Sequence, residues 1–87
     1  MYQIPNFNVA LAHTLRARRE QTGMTQMQVA VAIGGSEVAV RRLERGAQTP
    51  TVTTMILLAK ALDITPEAFL SEIMRQVALL DARQESH

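Results

Sequence analysis

Cysteine and tryptophan are absent from this sequence, and one tyrosine and two phenylalanines are its only aromatic residues. Without thiols there is no disulfide framework, no thiolate metal site and no cysteine nucleophile. So few aromatics favour small helices over a β-sandwich. No apolar run approaches the roughly 18 residues of a membrane span. The start MYQIPNFNVA also lacks a basic segment leading into an apolar one, so a soluble, cytoplasmic protein is expected. His13 and His87 are the only histidines, and their spacing suits no shared metal. Ser36, His13 and Asp63 carry the letters of a catalytic triad without its flanking geometry. No glycine loop cradles a phosphate, since the adjacent Gly34 and Gly35 read as a helix corner. The expectation is a binding protein rather than an enzyme, with no cofactor and no metal.

What is present fits one domain. The 87 residues are 47% hydrophobic and 20% charged, near the size at which only about 60% of the unfolded chain's surface is buried. With no second domain, no small-molecule effector site is expected. Net charge is +1, but it is unevenly spread. Residues 1–50 hold six arginines against three glutamates, a net of +3, whereas residues 51–87 hold three basic against five acidic groups, a net of −2. Such asymmetry suits a molecule that turns one face to an anion.

Punctuation divides the chain into five helices. The first is capped at Asn6 or Asn8, buries Leu11 and Leu15, and stops at Gly23. The second opens at Thr25, with Gln28 at capping-box spacing; it buries Val29, Ala30 and Ile33 and ends at Gly34. Ser36 caps a third helix that buries Val40 and Leu43 and closes at Gly46. Pro50 breaks the pattern. Thr51 then caps a fourth, with Val52, Met55, Ile56, Leu58, Ala59 and Leu62 at helical spacing. Thr65 as cap, Pro66 at the first helical position and Glu67 beside the positive dipole end start a fifth, which runs to about Ala82.

Two short helices with glycine at the corner form a helix-turn-helix, whose second helix can enter a DNA major groove. The stretch GMTQMQVAVAIGGSEVAVRRLERG, residues 23–46, resembles the Cro and lambda-repressor-like (Xre-type) DNA-binding domain. Gly23, Thr25, Gln26, Val29, Ala30, Ile33, Gly34, Ser36, Val40, Leu43, Glu44 and Gly46 match its pattern without a gap, and the likeness covers roughly residues 9–72. It implies an all-α, five-helix domain acting as a homodimeric transcriptional regulator, expected to be a repressor that occludes a promoter at a pseudo-palindromic operator. It also implies roles. Glu37, Val38 and Arg42, with Arg41 beside them, face base edges: Arg42 can fork onto guanine, Glu37 can accept from a cytosine amino group, and Val38 can pack on a thymine methyl. Gln26 holds a backbone phosphate; Arg45, Gln48 and Thr49 form a second backbone clamp. Ser36 is divided between cap and phosphate ligand. The alternative for Arg41, Arg42 and Arg45 is an ordinary solvated helix face. Arg19 and Glu44 match a pair that joins the first helix to the end of the third. Arg16 and Arg18 read as solubilising charges, and His13 as a helix-surface residue.

Three features depart from the pattern. Glu37 is acidic where a polar or basic residue is usual. Met27 and Val31 make an apolar strip on the second helix, for which Tyr2, Ile4 and Phe7 are the expected cover. Ile73, Met74, Val77 and Leu80 continue an apolar stripe through a helical extension, residues 73–84 of a single 1–87 domain. A two-fold dimer through that stripe is expected; packing on the first helix and the N-terminal arm of the same chain is the rival. A different class of function is a protein-binding module, most concretely an antitoxin that meets a toxin through the Met27 and Val31 strip or the last helix.

Overall fold

Four helix starts carry the hydrogen bonds that their sequences predict. In the computed structural model, which describes residues 4–85, Thr25 Oγ1 accepts from the Gln28 N–H at 3.1 Å while Gln28 Oε1 accepts from the Thr25 N–H at 2.8 Å. Both halves of the capping box are thus closed at the head of α2 (Gln26–Ala32). Ser36 caps α3 (Glu37–Glu44) through the Ala39 N–H, Thr51 caps α4 (Val52–Ala61) through the Thr54 N–H, and Thr65 accepts from Ala68 ahead of α5 (Pro66–Glu85). Each such cap contributes about 1 kcal/mol by satisfying an orphan N–H.

The first helix, α1 (Phe7–Gln21), starts differently. Asn6 stands at its cap in a left-handed conformation, φ 66°, but its side chain does not bond the helix. The amide donates instead to Asp81 Oδ1 at 2.7 Å and exchanges bonds with the Gln84 amide at 3.1 and 3.3 Å. At the far end of α1, Arg18 Nε donates to Glu72 at 3.2 Å. Residue 6 therefore lies beside residues 81 and 84, and residue 18 beside 72, so α1 and α5 run antiparallel along most of α1. Between these two polar clasps Leu11, Leu15, Ile73 and Val77 are buried, with Phe69 one turn beyond Glu72, and Val29, Ala30, Val40, Leu43, Leu58 and Ala59 from the three middle helices, with Leu62 just after the fourth, join the same core. Full burial of each large aliphatic side chain contributes roughly 1.5–3 kcal/mol.

This packing corrects the expected dimer contact. Ile73 is 0% and Val77 5% exposed within one chain, so neither has surface left for a partner. Leu80 is half-buried against the same cluster, and Met74 alone of the four stays open. The reason is length: α1 reaches far enough along α5 to cover the stripe with its own apolar side. A second correction concerns the cover for the strip on α2. Ile4 is 53% exposed and Phe7 packs on the core, while Met27 and Val31 remain 52% and 72% exposed; Tyr2 lies outside the described residues. Val52 and Ile56 likewise face outward, although they share helical spacing with the buried residues of α4.

Candidate nucleic-acid interface

Leu43 and Val40 fix the orientation of α3, because both are fully buried on one side of it. A residue three or four positions away shares a side and a residue one or two away does not. Val38, Arg41 and Arg42 are accordingly exposed; Glu37, three before Val40, is half-buried, and Ser36 is exposed because it stands ahead of the first turn as the cap. Ser36 spends an acceptor lone pair on the Ala39 N–H but keeps its O–H to donate. The helix ends at Arg45, beyond which Gly46 adopts φ 71°. A side chain there would also approach the Asn8 carbonyl oxygen at 3.3 Å, so glycine lets the end of α3 sit against the start of α1. Thr49 Oγ1 donates to Asn8 Oδ1 at 2.8 Å and ties the following loop to the same place. Arg45, Gln48 and Thr49 thus lie at or just beyond the C-terminal end of α3, all exposed.

Charge on this face is only partly balanced. Glu37 and Arg41, one turn apart, form an ion pair at 3.4 Å with side chains 34% and 44% exposed. Among the described residues Arg42 and Arg45 have no carboxylate partner. Behind the face lies a closed joint. Glu44 accepts from Arg19 Nε at 2.7 Å and Nη2 at 3.1 Å, and Arg19 Nη1 reaches the Met24 carbonyl at 3.0 Å. The two side chains are 14% and 5% exposed. The bonds to Glu44 hold the Arg19 guanidinium above its ordinary pKa, against a smaller opposing effect of burial. Gln26, the first residue of α2, donates from Nε2 to the same Glu44 carboxylate at 3.3 Å. The expected Arg19–Glu44 pair is therefore present, and it orients Gln26 as well.

The structure brings Glu37, Val38, Arg41 and Arg42 onto one helix, with Ser36 at its cap, Arg45, Gln48 and Thr49 at its end and Gln26 joined to it through Glu44. Sequence reasoning missed the supporting residues Asn8 and Met24, whose contributions come through contacts that no local motif announces. It also read Arg18 as a solubilising charge, whereas Arg18 pairs with Glu72; Arg16 does sit at the surface, paired with Glu20 one turn on. His13 is exposed on α1. Among the described residues no helix is long and apolar enough to cross a membrane.

A protein-family model described as a helix-turn-helix domain matches residues 10–70. No curated protein sequence matches the chain. Among solved structures it is similar to the clp gene regulator ClgR from Corynebacterium glutamicum, at 26% identity and a TM-score of 0.85 over 95% of this chain and 88% of that one. It is also similar to a helix-turn-helix family transcriptional regulator from Vibrio cholerae, at 28% identity and a TM-score of 0.68, covering 75% of this chain and 36% of that one. The restriction-modification controller protein C.AhdI from Aeromonas hydrophila gives 27% identity and a TM-score of 0.67 over 75% of this chain and 97% of that one.

Proposed function

The chain belongs to the Cro and lambda-repressor-like family of helix-turn-helix DNA-binding transcriptional regulators, and we propose that it binds a pseudo-palindromic operator as a homodimer and represses by occluding a promoter in the cytoplasm. One observation carries this reading: the outward side of α3 gathers exposed Arg41 and Arg42 with Val38, and its end gathers Arg45, Gln48 and Thr49. Laid in a major groove, α3 puts Glu37, Val38, Arg41 and Arg42 against base edges, where each well-matched bidentate contact gives about 1–3 kcal/mol of discrimination. Gln26, Ser36, Arg45, Gln48 and Thr49 reach the phosphates on either side and fix the register. The function is binding, without catalysis.

The dimer contact in this reading uses apolar surface that folding leaves open. Leu70 and Met74, four apart on α5, are 45% and 39% exposed, and Val52 and Ile56, four apart on α4, are 76% and 38% exposed. A two-fold contact there would present two copies of α3 to half-sites about 34 Å apart. Selection of bound duplexes from a random pool tests the whole reading: an enriched inverted repeat is expected, and Arg42→Ala is expected to weaken binding to it about tenfold or more. Enrichment of no sequence, or unchanged affinity in a folded Arg42→Ala, removes the reading.

The exposed Met27 and Val31 favour a second reading, an antitoxin whose α2 strip seats a toxin and whose DNA binding is autoregulatory. Co-purification of a small protein from the native host, lost in Val31→Asp, would support it. A free dimer that binds its operator tightly counts against it.

A further inference from the structure

The acidic residue on the reading helix is not alone. Glu37 lies one turn before Arg41, the favourable order for such a pair, and the two approach to 3.4 Å while each keeps a third or more of its side chain open to solvent. Neither group is absorbed into the core or into the Arg19–Glu44 joint. An isolated carboxylate advancing on DNA meets phosphate repulsion; a carboxylate paired with a guanidinium advances as a neutral unit that presents an acceptor beside a donor fork.

The major-groove edge of a base pair has a matching pattern in one case. Guanine offers two neighbouring acceptors, O6 and N7, and its cytosine offers an amino donor next to O6. Arg41 can fork onto the guanine while Glu37 accepts from the cytosine amino group. Adenine offers one acceptor beside a donor, and thymine one acceptor beside a methyl, so an A·T pair leaves the fork half-filled. Resting on the reading of this chain as an operator-binding protein, we propose that Glu37 and Arg41 act as one specificity-determining unit that selects a G·C base pair, Arg41 on the guanine and Glu37 on its cytosine. The same pairing restrains Arg41 from phosphates, so the unit also lowers affinity for DNA of the wrong sequence.

The test compares the full chain with Glu37→Gln, Arg41→Gln and the double variant in random-duplex selection and in salt titrations, folding being checked by circular dichroism. In the wild type a G·C pair at one position of each half-site is preferred over A·T by about tenfold. Either single variant should reduce that preference to about threefold or less at the same position, and the double variant should lose no more than the singles, as two members of one unit do. Glu37→Gln should bind random-sequence DNA severalfold more tightly, with a salt dependence steeper by about one phosphate contact because Arg41 is released. Identical enriched bases in the wild type and Glu37→Gln would overturn the proposal and leave Glu37 as a solvated helix-surface acid. Losses at two different base positions, adding in the double variant, would overturn the unit while sparing separate readout. A wild type that enriches no sequence removes the operator reading itself, and this proposal with it.

Discussion

Arg19 with Glu44 and Arg41 with Glu37 are the same two residue types in very different places. The first pair closes the joint between α1 and α3, is bidentate at 2.7 and 3.1 Å, has side chains 14% and 5% exposed, and is held by further bonds to Met24 and Gln26. The second lies on the open side of α3, touches through one N···O distance of 3.4 Å, and is 44% and 34% exposed. Burial separates what they do. In the joint, each charge has given up water and depends on its partner, so the pair constrains the fold. On the open face each charge keeps part of its hydration, the pair contributes a few tenths of a kcal/mol to the helix at most, and its groups stay available to a ligand.

The largest expected effect comes from breaking the joint. Glu44→Ala leaves the Arg19 guanidinium poorly exposed and without its carboxylate, and should cost about 3 kcal/mol of stability in urea unfolding. Replacing both partners, as Arg19→Met with Glu44→Leu, should cost less than Glu44→Ala alone, because no unpaired charge is then left behind. A loss below about 1 kcal/mol in Glu44→Ala would put the joint in the class of surface pairs and erase the contrast.

A smaller effect, in a different observable, is expected on the open side. Arg45 is exposed at the end of α3 and makes no ion pair among the described residues. Arg45→Ala should leave stability within about 0.5 kcal/mol of the wild type. DNA binding should weaken for all sequences alike, with a salt dependence shallower by about one. A stability loss comparable with that of Glu44→Ala would show that the two regions are not divided as burial divides them.

How much of this was legible in the sequence depended on the range of the interaction. Thr25 with Gln28, Ser36, Thr51 and Thr65 were readable because a cap and its N–H are three residues apart, and Gly34 and Gly46 because a left-handed stop needs no distant partner. The all-α fold and the helix-turn-helix followed from these. Of the two asparagines that the sequence offers as cap of the first helix, Asn6 holds the position, yet its side chain caps nothing and is taken by Asp81 and Gln84, more than seventy residues away, which no local pattern contains. The stripe on α5 shows the limit of periodicity. Ile73 and Val77 share their apolar letters with Met74, and spacing says that two residues lie on one side of a helix without saying whether the same chain or another covers that side. Val52 and Ile56 make the same point on α4. At the candidate site the outward set on α3 is legible from Val40 and Leu43, whereas helical spacing permits the Glu37–Arg41 pairing without requiring it.

Arg18 with Glu72 lies between the two extremes, each side chain being 31% exposed, and gives the smallest and sharpest test. Hydrogen bonding from Arg18 holds the Glu72 carboxyl below its ordinary pKa; partial burial opposes the shift, and the charges of Arg18 and Arg75 add to it. The carboxyl's folded pKa is thus lower than its unfolded one, so the pair's contribution is complete above the unfolded value and fades as pH falls through the folded value. Arg18→Ala should therefore lower the thermal midpoint most near neutral pH, and the difference from the wild type should shrink between about pH 5 and pH 2 as Glu72 is protonated in both proteins. A difference that stays constant across that range would mean that Arg18 stabilises α1 against α5 through its aliphatic stem instead of its charge. The gap at neutral pH should be a fraction of that for Glu44→Ala, because a side chain with a third of its surface in water loses less when its partner leaves. If it were as large, burial would not be the variable that sorts the arginine–glutamate pairs of this protein, and the geometry of the clasp between α1 and α5 would have to take its place.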